Sequence, residues 1–349
     1  MNLSAGKFRG LARLADASGR FKMVAVDQRP PIEGPICKAL QRDTAPWEDV
    51  ARFKAMLVRE LQEAASALLL DPHYAYPAAI GHLDPRLGLI MTLEDSAFEE
   101  TAEGRYSREI GDWSVEKIKR AGGDAVKVLA WFRPDAGRDV NAHQRDFVKR
   151  IGAECDRLDI PFVLELLVYP LAHDREKTQE YVEMRSKRAA DVLRSVEIFA
   201  APEYGVDLFK LESPIPAAEV PGIGGPDWRD AQSLFDELGR LAGRPWVMLS
   251  AGSSMAEFRR ILGHAYRAGA SGYLAGRAIW ADAFRAFPDW EAIEMGLRRE
   301  ALDYMAEINR LTDGEAHPWR EHHAYGAAGP GLAHPDASFR THYAGFGER

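Results

Sequence analysis

Four charged residues interrupt apolar runs that otherwise suit strands buried on both faces. They are Lys210 in VDLFKLESP, Glu165 in PFVLELLVYP, Lys127 in DAVKVLAWF and Asp27 near the end of FKMVAVDQ. An ammonium group in a low-dielectric interior either pairs with a carboxylate or loses its proton, and a neutral amine is a nucleophile. Buried lysines beside buried acids therefore predict nucleophilic and acid–base chemistry.

These residue types together predict the attack of an amine on a carbonyl. Burial and the like charge of Lys127 would keep Lys210 neutral for part of the time, so that it forms an imine with a ketone. The protonated imine withdraws electrons and lets the adjacent carbon–carbon bond break, while Glu165 moves the protons. A structural alternative stays open, in which the lysines form buried ion pairs with Glu165, Asp27 or Glu212.

Two further segments carry small residues where the others carry charges. LSAGSS and LAGRA end the last two apolar runs, and the second brings Arg277. Backbone N–H groups of such loops approach anions closely, and a capping box of Ser254 and Glu257 directs the positive end of a helix toward the first loop. The two loops predict a phosphate site, with glycines that only serve tight turns as the alternative.

Charges on separate strands meet only if one closed sheet holds them all. Short apolar runs alternate with amphipathic stretches, and a stripe from Trp47 to Ala64 at spacings of three and four predicts the first long helix. A glycine fingerprint of an open doubly wound sheet is missing after the first run, where DQRPPIEGP stands. We therefore predict an α/β fold, a (β/α)8 TIM barrel, with strands in residues 21–28, 65–72, 87–94, 124–132, 161–170, 206–213, 245–252 and 272–278.

The chain divides into three predicted parts. Residues 1–20 form a lead-in helix, residues 21–312 the barrel, and residues 313–349 an irregular tail in which Gly, Pro and His become frequent. The tail would pack over the barrel, join an oligomer contact or be partly disordered. A barrel of this kind places its reacting groups at the carboxyl ends of the strands, and phosphate sites in the loops after strands seven and eight.

Composition excludes several partners. The chain has 349 residues and a net charge of −8, and no basic block is interleaved with aromatics, so nucleic acid is not expected. No apolar run reaches the length of a signal peptide core or a membrane span, which predicts a soluble, cytoplasmic protein. Two isolated cysteines, Cys37 and Cys155, and ten histidines without HExxH spacing predict neither a metal site nor a cofactor.

Five segments of the chain resemble, in order and spacing, the class I tagatose-bisphosphate aldolases of the LacD type, whose pattern the sulfofructose-phosphate aldolases share. They are DAVKVLAWFRPD, PFVLELLVYP, VDLFKLESP, LSAGSSMAEF and YLAGRAIW. AVDQR and ALLLDPHY extend the resemblance over residues 20 to 310. The resemblance implies a metal-free barrel that forms homo-oligomers, dimers or tetramers. It assigns the imine to Lys210, acid–base catalysis to Glu165, the strand-four lysine to Lys127 and a sugar hydroxyl to Asp27. Substrate and phosphate contacts fall on Gln28, Arg29, Ser250, Gly252, Ser253, Gly276 and Arg277.

Two departures from the family pattern concern the aldehyde half of the substrate. Pro30 and Pro31 replace a glycine and a small residue, and WFRPD replaces YYDPD, which makes Arg133 a candidate contact for a second anion. The expected reaction is cleavage of a ketose 1-phosphate or 1,6-bisphosphate, tagatose bisphosphate-like, to dihydroxyacetone phosphate and an aldehyde. The alternatives are a 6-deoxy-6-sulfofructose-1-phosphate aldolase that releases sulfolactaldehyde, and a catalytically silent sugar-phosphate-binding regulator.

Overall fold

Eight parallel strands close into a barrel in the computed structural model, which describes residues 2–174, 184 and 186–346. Each predicted apolar run contains one strand, so the predicted fold is confirmed. The strands are shorter than the runs because the last residues of each run belong to the loops at the barrel mouth. The strands are β1 (Phe21–Ala25), β2 (Ala67–Leu70), β3 (Gly88–Thr92), β4 (Ala125–Trp131), β5 (Phe162–Leu167), β6 (Leu208–Leu211), β7 (Trp246–Met248) and β8 (Gly272–Ala275).

The strands pair in chain order, and β8 pairs with β1 to close the ring. Helices follow the strands on the outside, as parallel strands with crossover connections require. They are α1 (Ala5–Leu14), α2 (Pro30–Leu40), α3 (Trp47–Leu61), α4 (Ala75–Ala79), α5 (Val115–Arg120), α6 (Arg138–Arg157), α7 (Ala189–Phe199), α8 (Trp228–Ala242), α9 (Met255–Arg267), α10 (Arg277–Phe284), α11 (Trp290–Gly296), α12 (Leu302–Glu315) and α13 (Phe339–His342).

The predicted helix signals correspond to real structure. The apolar stripe of α3 is buried at Val50, Phe53, Leu57 and Leu61, whereas Trp47 at its start stays 47% exposed. The side chain and backbone of Ser254 exchange hydrogen bonds with Glu257, which completes the capping box at the start of α9. Within the part of the chain that the structure describes, no helix is long and apolar enough to cross a bilayer.

Alternation along the strands decides what fills the barrel. Side chains two residues apart point to the same side of a strand. Ala125, Val163 and Leu208 lie in one apolar cluster inside the lower half of the barrel. The residues two positions further along these strands are Lys127, Glu165 and Lys210. The interior is therefore apolar near the amino ends of the strands and charged near the carboxyl ends.

Both ends of the chain pack against the amino end of the barrel. Leu11 and Leu14 of α1 and Trp319 of the tail belong to the lower apolar cluster, and the rings of Phe8 and Trp319 meet edge-on at 6.0 Å. Residues 2–3 pair with residues 331–332 as a short parallel ladder. Helix α12 extends to Glu315, across the predicted boundary at 312. Met1 and residues 347–349 of the predicted end segments lie outside the described residues.

Candidate active site

The centre of the barrel mouth is a carboxylate shared by two lysines. Glu165 stands opposite Lys210 in the register of β5 and β6, and the Nζ atom of Lys210 donates to Oε2 of Glu165 at 2.8 Å. The Nζ atom of Lys127, on the other side of β5, lies 2.8 Å from the same oxygen. Lys210 is only 4% exposed. The structure therefore brings the three charged residues Lys127, Glu165 and Lys210 into direct contact.

Lys127 lies among three carboxylates. Its Nζ atom is 2.6 Å from Oε1 of Glu94 and 2.9 Å from Oδ2 of Asp27, in addition to the contact with Glu165. Burial alone would lower the pKa of this ammonium, but the negative charges of Asp27, Glu165 and Glu94 together raise it well above its ordinary value. Lys127 is therefore a fixed cation at the mouth.

The same attraction keeps the acids ionised. Burial acts to raise the pKa values of Asp27 and Glu165, but the nearby ammonium groups of Lys127 and Lys210 outweigh it and lower both values. One carboxylate oxygen of Asp27, Oδ1, is buried and accepts no hydrogen bond within the described part of the chain. Asp27 is among the residues that line the pocket, which makes this carboxylate a candidate acceptor for a substrate hydroxyl group.

Glu94 is a site residue that sequence reasoning missed. It is 2% exposed, follows β3 and accepts a hydrogen bond of 2.6 Å from the hydroxyl of Thr92. A signal for it existed, because Glu94 ends the apolar run LGLIMTLE as Asp27 nearly ends FKMVAVDQ. The rule that selected charges at strand ends therefore applied equally to Glu94.

The contacts predicted after β1 lie at the mouth. Gln28 and Arg29 line the pocket, and Arg29 is only 5% exposed. The guanidinium of Arg29 donates to the backbone carbonyl of Glu94 at 3.0 Å. Pro30 and Pro31 are the first residues of α2, a position where a missing N–H costs no helical hydrogen bond. The amino end of α2 therefore offers the pocket the charged side chain of Arg29, whereas Pro30 and Pro31 contribute no backbone N–H donors.

The loop after β7 forms one wall of the pocket. Ser250 lines the pocket, and the N–H of Ser253 donates to the carbonyl of Ser250 at 2.8 Å to close a turn. Gly252 adopts φ +84°, and an added Cβ there would lie 3.2 Å from the guanidinium carbon of Arg277. Ser253 supports this turn and is not among the residues that line the pocket.

The loop after β8 forms the adjoining wall. Gly276 and Arg277 line the pocket, and Gly276 is the residue that precedes α10. A Cβ on Gly276 would meet the carbonyl oxygen of Ala25 and the side-chain nitrogen of Gln28, both at 2.8 Å, so only glycine fits there. The start of α10 therefore opens toward the pocket beside Arg277, an arrangement that suits an anion.

Arg133 does not lie in this pocket, although we predicted a contact with the aldehyde half of the substrate. Its guanidinium donates to Asp135 at 2.8 Å and to the carbonyl of Tyr169 at 3.1 Å, and it also pairs with Asp174. Arg133 lines a neighbouring cavity together with Arg188. Two acidic partners thus orient Arg133 away from the two lysines and offset its charge.

The structural alternative of a pair between Lys210 and Glu212 is not formed. The carboxylate of Glu212 accepts the N–H of Val168 at 2.7 Å and the ammonium of Lys187 at 3.0 Å. Leu167 and Leu249 supply the apolar part of the pocket lining beside the lysines. Across the described residues, no group of three or more His, Cys, Asp and Glu side chains is arranged to hold a metal ion.

The closed parallel barrel carries a buried lysine–glutamate pair at its mouth, and two loops that suit an anion lie beside this pair. These features together are typical of the class of barrel lyases that act through an amine. Comparison with protein families is consistent with this class, since the model of the DeoC/LacD family aldolases matches residues 21–282. The chain belongs to the DeoC/LacD aldolase family and is a carbon–carbon lyase. The resemblance on which the sequence prediction depended is confirmed.

Curated relatives match almost the whole chain. Tagatose 1,6-diphosphate aldolase 2 of Streptococcus mutans is 31% identical over 329 residues, which cover 92% of this chain and 98% of the relative. Tagatose 1,6-diphosphate aldolase of Listeria monocytogenes serotype 4b is 33% identical over 327 residues, which cover 91% and 95%. The aligned part of the chain is therefore longer than the barrel alone.

Solved structures agree in fold. A Schiff base forming fructose-1,6-bisphosphate aldolase superposes with a TM-score of 0.55 at 18% identity, over 87% of this chain and 98% of that chain. The fructose-bisphosphate aldolase of Plasmodium falciparum superposes with a TM-score of 0.62 at 14% identity, over 90% and 97%. At such low identity these likenesses describe the barrel and not the site.

Proposed function

We propose that this lyase is a class I aldolase that reversibly cleaves a ketose 1-phosphate or 1,6-bisphosphate to dihydroxyacetone phosphate and an aldehyde. The observation that carries the proposal is the contact of 2.8 Å between the amine of Lys210 and the carboxylate of Glu165 in a buried pocket. A nucleophile in hydrogen-bond contact with a base is the arrangement that covalent catalysis requires. The two relatives, both tagatose 1,6-diphosphate aldolases by name, support a substrate like tagatose 1,6-bisphosphate.

The reaction begins with a proton transfer. The ammonium of Lys210 gives a proton to Glu165, and the neutral amine attacks C2 of the ketose to form a carbinolamine. Glu165 returns a proton to the departing hydroxyl group, water leaves, and a protonated imine remains on Lys210. Because Glu165 contacts Lys210 directly, this one carboxylate serves both proton transfers.

Cleavage uses the imine as the electron acceptor. Glu165, again a carboxylate, removes the proton of the C4 hydroxyl, and the electrons of the C3–C4 bond move into the imine as the aldehyde forms. The resulting enamine takes a proton at C3, and water hydrolyses the new imine to free dihydroxyacetone phosphate. The water released in imine formation is thereby consumed again. Lys127 stabilises the oxyanion that develops during these steps, and the free oxygen of Asp27 holds a sugar hydroxyl.

The 1-phosphate binds at the loops after β7 and β8. Ser250, Gly276 and Arg277 line this end of the pocket, and Gly252, which is not itself a lining residue, packs against the guanidinium of Arg277. The amino end of α10 adds the positive end of a helix dipole. Anchoring the phosphate there brings C2 of the substrate to the amine of Lys210.

The anion on the other half of the substrate meets Arg29 rather than Arg133. Arg29 lines the pocket near Glu94, whereas Arg133 lies between Asp135 and Asp174 in the neighbouring cavity. Turnover of the 6-phosphate and of the 6-sulfonate, compared at equal concentration, decides between the tagatose bisphosphate-like substrate and 6-deoxy-6-sulfofructose 1-phosphate. We retain the bisphosphate as the first candidate because the relatives' names support it.

Trapping with sodium borohydride tests the mechanism. Incubation with dihydroxyacetone phosphate and borohydride should attach the reduced adduct to the peptide that contains Lys210, and the Lys210→Met variant should gain no mass. Treatment with EDTA should leave the turnover unchanged. An adduct-free Lys210 peptide, or activity that disappears with the chelator, would contradict the proposal.

The working form of the enzyme is a cytoplasmic homo-oligomer, a dimer or a tetramer, that acts on its sugar phosphate without a cofactor, nucleic acid or membrane. The resemblance to the tagatose-bisphosphate aldolases supports this association. Light scattering of the purified chain should give two or four times the mass of 38.9 kDa. A monomer at micromolar concentration would contradict this part of the proposal.

A further inference from the structure

The mouth contains two buried lysines, and Glu165 does not distinguish between them. The amines of Lys127 and Lys210 both lie 2.8 Å from the same carboxylate oxygen. Their exposures are also alike, at 2% and 4%. Burial and contact with the base therefore cannot decide which amine attacks the substrate, so the difference must come from their other neighbours.

Those neighbours differ sharply. Lys127 has two additional carboxylates, Glu94 at 2.6 Å and Asp27 at 2.9 Å. For Lys210, Glu165 is the one ion-pair partner that the described contacts contain. An ammonium with three carboxylates at hydrogen-bond distance gives up its proton far less readily than one that shares a single carboxylate. The raised pKa of Lys127 agrees with this difference.

Glu94 is held in place independently of the substrate. The hydroxyl of Thr92 donates to its second oxygen at 2.6 Å, and Thr92 stands opposite Lys127 in the register of β3 and β4. The guanidinium of Arg29 donates to the backbone carbonyl of Glu94. One oxygen of Glu94 is thus fixed by Thr92 and the other is directed at Lys127.

Among the three acids, Glu94 alone has no second task in the proposed reaction. Glu165 exchanges protons in every step, and Asp27 turns its free oxygen to a substrate hydroxyl. Glu165 loses its charge whenever it carries a proton, and Asp27 shares its charge with the substrate through Oδ1 while Oδ2 stays at Lys127. Glu94 is the carboxylate whose full charge serves Lys127 alone throughout the cycle.

We propose that Glu94 is a positioning residue that keeps Lys127 protonated and thereby leaves Lys210 as the imine-forming amine. This inference depends on the proposed aldolase mechanism and adds the reason why one of two adjacent lysines is the nucleophile. Glu94 acts through Lys127, and its removal changes the selectivity between the two amines in addition to the rate.

The charges around Lys127 give the sign of the effect. Asp27 faces it from the end of β1, Glu94 from β3 and Glu165 from β5, while the nearby cations are Lys210 on β6 and Arg29. In Glu94→Gln, the carboxylate whose Oε1 lies 2.6 Å from the Nζ atom of Lys127 becomes a neutral amide of the same shape. Lys127 should then release its proton at lower pH and compete for electrophiles.

Two readouts test the selectivity. In the first, trace labelling with acetic anhydride across pH, without substrate, measures the titration midpoint of the Lys127 amine in the folded protein. Glu94→Gln should lower that midpoint by at least about one pH unit, a tenfold change in reactivity at neutral pH. In the second, borohydride trapping with dihydroxyacetone phosphate should label Lys210 alone in the wild type and both lysine peptides in Glu94→Gln.

Matched variants separate this effect from damage to the fold. Residues 99–101 and 104–106 form a short antiparallel hairpin after β3. Glu99→Gln makes the same change on an exposed residue of this hairpin and should leave labelling and activity unchanged. Glu94→Asp keeps the charge and should keep the trapped adduct on Lys210. Thr92→Val removes the hydrogen bond to Glu94 at nearly constant volume and should shift the Lys127 midpoint in the same direction by less; it replaces Glu94→Gln if that variant does not fold.

The inference is overturned if folded Glu94→Gln, or Thr92→Val in its place, leaves the Lys127 midpoint at its wild-type value. In that case an adduct on Lys210 of the wild type still supports the aldolase mechanism. Conversely, a wild type without any adduct removes the aldolase proposal, and with it the question of which amine forms the imine, whatever the acetylation profile shows.

Discussion

The lower and upper halves of the barrel interior are equally buried and chemically opposite. Near the amino ends of the strands, Ala125, Val163 and Leu208 pack in an apolar cluster with α1 and the tail. Two residues further along the same strands, the side chains are Lys127, Glu165 and Lys210, none more than 7% exposed. The same strands therefore supply a packed core and a charged pocket through alternation alone.

The difference shows what each half is for. Apolar burial stabilises the fold by about 25 cal/mol for each Å² removed from water. Burying a charge costs several kcal/mol per ion, which pairing only partly offsets, and apolar replacements of buried ion pairs are often neutral or stabilising. The lower half thus contributes stability, whereas the charges of the upper half are explained by chemistry.

Lys210→Met should have the largest effect, because it replaces a charged side chain of the upper half with an apolar one like those of the lower half. We expect kcat to fall by about 10⁴-fold or more because the nucleophile is lost. The free energy of unfolding should stay equal or rise, since Glu165 keeps its contact with Lys127. Steady-state kinetics and urea unfolding measure the two quantities. Residual activity within a hundredfold of the wild type would mean that another group forms the imine.

Trp319→Ala makes the reciprocal change in the lower half. Trp319 is fully buried between Phe8 and Tyr325, so its truncation should lower the free energy of unfolding by about 3–5 kcal/mol. The kcat of the folded fraction should remain within about twofold, because the ring packs in the lower apolar cluster and contacts none of the charged residues of the pocket in the described hydrogen bonds and ion pairs. Urea titration with active-site counting by borohydride trapping measures both, and Trp319→Phe serves as the milder control.

Acid should weaken the upper half selectively. The pKa values of Asp27 and Glu165 are lowered in the folded protein. Their stabilisation is therefore complete above the unfolded values near about 4, and it is lost as the pH falls through the folded values. Asp27→Asn should make the free energy of unfolding fall less steeply below pH 4, by up to about 1.4 kcal/mol per pH unit. Equal slopes for variant and wild type would show that Asp27 keeps an ordinary pKa.

Arg133→Gln should have the smallest effect on catalysis. It tests whether the charged upper half of the barrel, as a substrate site, ends before Arg133. Because Arg133 is engaged by Asp135 and Asp174 outside the pocket, KM for the ketose bisphosphate should change by less than about threefold. Arg29→Gln, the matched variant inside the pocket, should raise KM at least tenfold, as loss of a charged contact worth about 1.4 kcal/mol does. A larger effect from Arg133 than from Arg29 would reverse our assignment of the second anion.

Much of this site could be predicted from the sequence because buried charges are rare enough to stand out. Lys127, Glu165 and Lys210 were found within strands, and their meeting followed from the barrel. Glu94 was missed although it ends the apolar run LGLIMTLE much as Asp27 nearly ends FKMVAVDQ, so one pattern predicts both residues. The contact distances themselves depend on register, which no local pattern contains.

Two features of the structure depend on partners that are distant in sequence. Arg133 follows β4 and was expected in the pocket, but Asp174 after β5 binds it elsewhere. The hairpin of residues 99–106 places Arg105 over the rings of Phe98, Trp131 and Tyr169, and nothing in its short strands predicted this. Long-range pairing of this kind is set by tertiary packing, to which local propensity is blind.

The packing of α1 and Trp319 against the lower apolar cluster has a consequence for biosynthesis. Phe8 and Trp319, which meet there, are separated by almost the whole chain. While a ribosome is still making the last strands, the apolar layer beneath Lys210 has only half of its cover. Native packing of that layer must wait for Trp319 to emerge, so nascent chains that stop earlier should bind chaperones and be digested readily by protease.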